Sequence, residues 1–301
     1  AAFLDSRFNL SFDFYSNTTY DMLMSVNLPP SVGTTSMNVN FGQLNNKGLD
    51  LSLSAQIIRN KDWFWSMTLT GGHVMDQIRK ISQGLKNDID NPYDSSKPKI
   101  LFVEGGSQYD IYAMRSAGID PATGKEIFIK KNGEYTFKYD ENERVAVGNT
   151  NPILQGSWMN TVRYKGFSIS LATSYTFGSD YYNSTLKNKV ENIDLDYNVD
   201  RRVFTDRWKQ PGDHTRFLGI GTSSSSSQYS ERFVEKRNEL YISSIQVMYD
   251  FAPKAITRLG LRKLAVGFGL SDIAHISTVK FERGTDYPYC RGINLIFRPT
   301  F

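Results

Sequence analysis

Cysteine is almost missing. Cys290 is the one thiol in 301 residues, so the chain has neither an internal disulfide framework nor a zinc knuckle. Long apolar runs are missing as well: no stretch approaches the roughly 18 residues that a membrane-spanning helix needs, and the mean hydropathy is −0.42. Charge of one sign is scarce. The 35 Lys and Arg residues nearly balance 31 Asp and Glu residues, leaving +4, and such a balance does not point to nucleic acid. The opening Ala1-Ala2-Phe3-Leu4-Asp5-Ser6-Arg7 lacks the basic start and apolar core of a signal peptide. Composition therefore leaves a cytoplasmic protein and a mature or truncated chain both open. Aromatic residues are plentiful: 19 Phe, 17 Tyr and 4 Trp supply enough surface to bury that disorder is excluded. The length fits one large or two ordinary domains.

Period-two alternation is the strongest signal. Leu49, Leu51, Leu53, Ala55 and Ile57 alternate with Asp50, Ser52, Ser54 and Gln56, which gives a strand one apolar and one polar face. The pattern recurs in Phe8, Leu10, Phe12 and Phe14; in Trp63, Trp65, Met67 and Leu69; and in Phe167, Ile169, Leu171, Thr173, Tyr175 and Phe177. It recurs again in Tyr241, Ser243, Ile245, Val247, Tyr249 and Phe251; in Leu264, Val266, Phe268 and Leu270; and in Ile293, Leu295, Phe297 and the terminal Phe301. A weaker strand covers 154–164. No segment has helical periodicity of similar quality, so the chain reads as an all-β fold with eight strands.

The connections alternate too. Lys165-Gly166 is a two-residue hairpin loop, and the links at 58–62 and 252–263 are compact. Between them lie polar insertions of about 22 residues before Lys47, about 78 between Met75 and Leu154, about 59 between Gly178 and Asn238, and about 15 before Tyr289, against usual loops of 2–6 residues. Short turns at one end, long loops at the other, one apolar strand face and aromatic residues at strand ends are the pattern of an antiparallel transmembrane β-barrel. A soluble β-sandwich also alternates, but does not usually keep every long loop at one end. Eight strands closing on themselves make a barrel so narrow that side chains must fill it. Here the inward set is Ser, Thr, Gly and Ala, which suits the wall of a wider lumen. The chain is thus expected to be part of a larger barrel, with a self-contained eight-stranded outer-membrane adhesin or structural barrel as the competing reading and a soluble β-rich carbohydrate-binding protein, its apolar faces buried between sheets, as the third.

Several segments resemble the C-terminal barrel half of SusC/RagA-type TonB-dependent outer-membrane transporters of Bacteroidetes. They are Asn45-Asn46-Lys47-Gly48-Leu49-Asp50, Ala117-Gly118-Ile119-Asp120-Pro121-Ala122-Thr123-Gly124-Lys125-Glu126, Val147-Gly148-Asn149-Thr150-Asn151-Pro152, Tyr164-Lys165-Gly166-Phe167, Arg207-Trp208-Lys209-Gln210-Pro211-Gly212-Asp213, Ser230-Glu231-Arg232-Phe233-Val234-Glu235 and Glu282-Arg283-Gly284-Thr285-Asp286-Tyr287-Pro288. Their order and spacing cover nearly the whole chain. The resemblance implies a barrel of about 22 strands, of which residues 1–301 supply the last eight or so. It also implies an N-terminal plug and barrel portion, a SusD/RagB-like surface lipoprotein, coupling to the TonB complex, outer-membrane lipid around the barrel, and energised import of oligosaccharides or oligopeptides. Plug, TonB box and signal peptide are absent from these residues, and the terminal Phe301 resembles the aromatic ending read by the barrel-insertion machinery.

Catalytic patterns are weak. His73, His214 and His275 are scattered without ligand spacing, so no metal site is expected, and no cofactor or nucleic-acid partner either. Asp194 and Asp196 are alternate residues of an acidic loop, and pairing for glycoside chemistry needs a separation that sequence does not give. Gly219-Ile220-Gly221 precedes a Ser run, 223–227, and follows no βα unit, so it reads as loop rather than dinucleotide fingerprint. The glycosylation-like triplets at Asn17 and Asn183 carry no weight in a bacterial outer-membrane protein, and Cys290 is expected to be a small buried side chain of the last strand. The chain is not expected to be an enzyme.

The candidate substrate-binding or partner-facing surface is the loop at 181–217. Tyr181, Tyr182, Arg201, Arg202, Arg207, Trp208 and Asp213 combine stacking faces, bidentate donors and a carboxylate, which hold a sugar or peptide without transforming it. The same residues suit bracing of the loop or contact with a lipoprotein. Tyr109, Tyr112 and Arg115 form a second candidate group in the longest insertion.

Overall fold

The computed structural model describes residues 2–4, 6–27, 33–34, 36–81, 102–193, 196, 198–221, 228–257, 260–280 and 290–301. Asp194, the 223–227 serine tract and the 282–288 segment lie outside them. A short β1 (Ala2–Phe3) precedes the long β2 (Phe8–Asn27), β3 (Ser36–Arg59) and β4 (Trp63–Ile81). Five short strands follow: β5 (Asp110–Ala113), β6 (Arg115–Ile119), β7 (Glu126–Ile129), β8 (Tyr135–Thr136) and β9 (Val145–Asn149). The long strands resume with β10 (Leu154–Tyr164) and β11 (Phe167–Tyr182), then helices α1 (Ser184–Val190) and α2 (Arg202–Thr205). β12 (Val234–Asp250), helix α3 (Pro253–Ile256), β13 (Lys263–Ser277) and β14 (Gly292–Thr300) complete the order.

The main sheet runs β1-β2-β3-β4-β10-β11-β12-β13-β14, antiparallel throughout. Its eight long strands are those that the alternation marks. Among the described residues β2 and β14 do not pair, so the sheet is an open wall and not a closed eight-stranded barrel.

Register carries one apolar face across every strand. Leu10 lies opposite Leu53 and Leu53 opposite Leu69; Leu69 meets Trp158 and Trp158 meets Thr173; Val247 meets Phe268, which meets Leu295. Large side chains on this face stay exposed, including Phe12, Phe14, Phe167, Phe297 and, at 86%, Leu295. The opposite face carries Ser54, Thr68, Thr70, Ser157, Thr161 and Ser170, linked across strands by hydroxyl pairs such as Thr70 to Ser157 at 2.8 Å and Thr161 to Ser170 at 3.3 Å. Such groups leave the space in front of the wall open. On the apolar face, Gly156 lets two strands and a tyrosine cross: the Tyr175 hydroxyl donates to the Thr70 carbonyl at 2.6 Å, and a Cβ at Gly156 would lie 1.9 Å from that oxygen.

Two expectations change. A β-bulge between the pairs Ala172–Ser244 and Thr173–Ile242 shifts the phase of β12, so Ile242 and Leu240, rather than Tyr241 and Ser243, continue the apolar face. The insertions are also shorter than alternation implies, because the strands outrun the membrane. β2 and β3 leave a connection of residues 28–35 only, and β11 and β12 climb to Tyr182 and Val234. Strands of 19, 20 and 24 residues far exceed the roughly 9–11 that cross a bilayer. Their polar upper halves carry the folded loops.

Candidate functional site

Above the level where β10 ends, β4 has a bare edge, and the 102–149 insertion is stitched onto it. The Ile78 amide donates to the Gly106 carbonyl (2.9 Å), the Gly105 amide returns to the Ile78 carbonyl (2.8 Å), and Asp76 accepts from the Gln108 amide (2.7 Å) and the Ser107 hydroxyl. Behind this seam Leu44, Ile78 and Ile81 form a small apolar core with Met22, Val39 and Phe102. The insertion folds into two sheets, β5-β9 and β6-β7-β8. Asn149 fixes the first by donating its side-chain amide to Asp110 (2.8 Å) and its backbone N–H to Asp180 (2.9 Å), and Asp180 pairs with Lys236 at 2.7 Å.

The second insertion, 183–233, folds around Leu186, Val190, Phe217 and Phe233, with Tyr182 packed against them. Asn183 caps α1, accepting from the Leu186 amide at 3.0 Å and donating to Glu235 at 3.0 Å.

The two insertions form one cap. Met114 bridges Ser230 in parallel, and the Glu231 amide donates to the Met114 carbonyl at 3.1 Å. The Trp208 indole donates to the Pro121 carbonyl at 2.9 Å, while its ring covers Gly124, where φ is +69° and an added Cβ would lie 2.4 Å from the ring. At the centre, Arg232 lies between two buried carboxylates, 2.8 Å from Glu126 and 2.9 Å from Glu191. Burial works against its charge, but hydrogen bonds and attraction from Glu126 and then Glu191 outweigh that and raise the guanidinium pKa above its ordinary value. Glu126 lies on β7 and Glu191 ends α1, so one cation ties together segments 65 residues apart in sequence (191 minus 126).

The structure gives each expected site residue a definite place. Arg207 is buried and donates to three backbone carbonyls, Leu218 (2.7 Å), Gly219 (2.9 Å) and Val190 (3.1 Å). Asp213 accepts from the Lys209 and Gln210 amides and closes its own turn. Arg202 grips Asp200 at 2.7 and 2.9 Å, and this pair, with the Arg202 guanidinium bond as the main cause, holds the Asp200 carboxyl down at about 2. Tyr182 packs on Tyr229 and Phe233, and burial raises its hydroxyl pKa. Tyr112 is raised by burial and then by the Asp110 charge, and Arg115 donates to the Lys130 carbonyl at 2.8 Å. Tyr109 and Arg201 are exposed, and Tyr181 is half-buried.

Glu126, Arg232 and Glu191 were not singled out by sequence reasoning. Arg232 and Glu126 do stand in two of the recognisable segments, but nothing local shows that they meet. Cys290 is exposed and precedes β14, a correction to its expected burial in that strand. Gly219 donates to the Gly124 carbonyl at 3.1 Å and so belongs to the cap's frame. His73, His214 and His275 lie on separate elements; among the described residues no group of three His, Cys, Asp or Glu side chains gathers as a metal site.

Comparison with known proteins now decides the family. The family model for TonB dependent receptor-like β-barrels matches residues 1–193, more than half of the chain. The chain belongs to that family. TonB-dependent receptor P39 of Formosa agariphila is 25% identical over 89% of this chain and 30% of its own length. TonB-dependent receptor SusC of Bacteroides thetaiotaomicron is 24% identical over 83% of this chain and 25% of its own. Among solved structures, the RagAB peptide transporter superposes with a TM-score of 0.76 at 22% identity, covering 91% of this chain and 30% of that one, which shows a shared fold. The TonB-dependent receptor wall described above thus spans 25–30% of the length of these relatives.

Proposed function

We propose that this chain forms the C-terminal wall of a SusC/RagA-like importer in the cell outer membrane, moving oligosaccharides or oligopeptides inward with energy supplied through TonB. The observation that carries this reading is the open wall itself: apolar yet exposed on one side, lined by hydroxyls and glycines on the other, with two edges that pair with no further strand among the described residues. A plug and TonB-contacting segment belong to the other portion of the same transporter, and a SusD/RagB-like lipoprotein closes over the cap. These residues bind and guide cargo and perform no covalent catalysis.

Within the cap the expected site residues take two roles. Arg202, Arg207, Trp208, Asp213, Tyr182, Tyr112 and Arg115 position the loops through the contacts described. Tyr109, Tyr181 and Arg201 supply the stacking faces and the cation that meet cargo or lipoprotein. Complementation of a deletion strain with the full-length transporter tests this. Tyr109→Ala and Arg201→Ala together should cut uptake of a labelled oligopeptide or oligosaccharide by about tenfold, the loss of one charge-assisted hydrogen bond, with surface abundance unchanged. Full uptake of both cargo classes by the double variant would remove these residues from the site. No uptake defect in the deletion strain itself would remove the import reading.

A further inference from the structure

The short-turn end of the wall carries a feature that import does not explain. On the apolar face, aromatic pairs stand beside the three turns that join the long strands: Trp63 with Tyr164 at 4.3 Å, Phe167 with Tyr249 at 4.5 Å, and Tyr249 with Phe251 at 4.9 Å between ring centroids. Such a belt marks the depth of a membrane–water interface. Immediately beyond it the turns carry Lys61, Lys165, Lys254 and Arg262, all exposed, against Asp62 as the one carboxylate among the described turn residues. Among the described residues none of the four is in an ion pair. Lys165 is held over the Tyr164 ring, 5.2 Å from its centroid, which directs its ammonium to the belt level. At the opposite end several cations are matched internally: Arg216 with Glu235, Lys236 with Asp180, and Arg232 with Glu126 and Glu191. The basic excess at the turns is therefore local, since the whole chain carries only +4.

We propose that the turn end is a binding surface for anionic phospholipid headgroups of the leaflet it faces. The phosphodiester of such a lipid lies at the depth where the aromatic belt stops and the cations begin, and its negative charge complements a cluster with one carboxylate. This rests on the reading of the chain as part of a membrane-spanning wall. Arg59, Arg163, Lys263, Arg298 and the carboxylate of Asp250 share this end but lie on the lumen side, and they are not part of the surface.

The test uses the full-length transporter in vesicles of phosphatidylethanolamine with about a quarter phosphatidylglycerol, gently extracted, with retained lipids counted by native mass spectrometry. The native protein should hold phosphatidylglycerol above its vesicle share. The variant with Lys61→Glu, Lys165→Glu, Lys254→Glu and Arg262→Glu should lower that enrichment at least about threefold, and the four Gln replacements should lower it less. High salt should weaken it in the native protein. Proportional retention by the native protein overturns the proposal. So does enrichment that survives charge reversal in a barrel whose migration on gels still shifts with heating, including the case in which reversal lowers import and thereby assigns the cations to an acidic periplasmic protein. Failure of the native protein to insert into the vesicles would overturn the wall reading along with it, and the heat-shift control tells that result apart.

Discussion

In the wall, Leu171 sits opposite Asn160 and Ile245 on the apolar face, while its neighbour Ser170 faces Thr161 across the lumen side. In the cap, Arg207 is as buried as a core leucine, and its three donors all end on carbonyls of its own loop. The wall is stabilised by solvent contrast: each residue need only be apolar or small according to its face. The cap has little apolar volume to bury, with clusters of three or four side chains, and is held by specific polar contacts with defined partners. A wall built this way tolerates exchange within a class. A cap built this way depends on particular residues.

The comparison is broken most sharply at Arg232. Arg232→Met leaves Glu126 and Glu191 buried and facing each other without a cation, a loss of about 3–5 kcal/mol for a broken buried ion pair. The expected result is that both insertions open: protection from hydrogen exchange falls together at the Asp120 amide of the first insertion, which donates to the Lys125 carbonyl at 2.8 Å, and at the Leu218 amide of the second, which donates to Glu191 at 2.8 Å, while the wall strands keep theirs. Loss confined to one insertion would show that the triad does not join them. The triple replacement Arg232→Met, Glu126→Leu, Glu191→Leu should recover most of the loss, because no charge is then left stranded.

The wall is tested by a pair of arginines. Leu171→Arg places a charge in the apolar band and should cost about 2–4 kcal/mol if it lies near mid-membrane. Ser170→Arg, one residue away, points into the lumen and should cost far less. Refolding into lipid with a urea titration measures both, and equal losses would remove the lipid assignment of the apolar face.

Much of the wall is readable without coordinates because a membrane imposes a simple rule on every second residue. That rule is local, so Leu49 to Ile57 or Phe167 to Phe177 show it at once. It fails where the backbone changes phase, as at the β12 bulge, since one extra residue turns Tyr241 inward and leaves nothing in composition to mark it. It also weakens beyond the lower halves of the long strands: β2 after Phe14 remains a strand, but Ser16, Asn17, Thr18 and Thr19 put polar groups on both faces, and Asn45, Asn46 and Lys47 break the period of β3 before Leu49. The cap is less legible still. Its residue types, Arg, Trp, Asp and Tyr, suit cargo binding and internal bracing equally well, and only the partners decide. Arg207 and Trp208 find theirs within the cap. Glu126 and Arg232 meet across 106 residues, a distance over which sequence pattern conveys no pairing.

A milder change separates bracing by shape from bracing by charge. Gly124 has φ +69° and lies under the Trp208 ring. Gly124→Ala should cost about 1–2 kcal/mol from backbone strain, with more from displacing the ring. The Gly212 and Gly219 amides, which donate to Pro121 and Gly124, should lose protection first, and the Arg232 triad should hold. Simultaneous loss at both places would mean that the cap is a single cooperative unit.

The smallest effect is expected at Asp200, where the cap meets solvent. Its carboxyl is held at about 2, chiefly by the Arg202 guanidinium, against an ordinary 3.8. Because the folded value lies below the unfolded one, the pair stabilises the start of α2 fully above the unfolded value, and that contribution is lost as pH falls through the window between the two. The pair is partly exposed and screened, so its worth is about 0.2–1 kcal/mol. Protection of the Arg202 amide, which donates to Asp200 at 2.9 Å, should fall across that window after correction for intrinsic exchange. Asp200→Asn should flatten the pH dependence and lower protection slightly at neutral pH. An unchanged acid response in that variant would place the titrating group elsewhere in the cap.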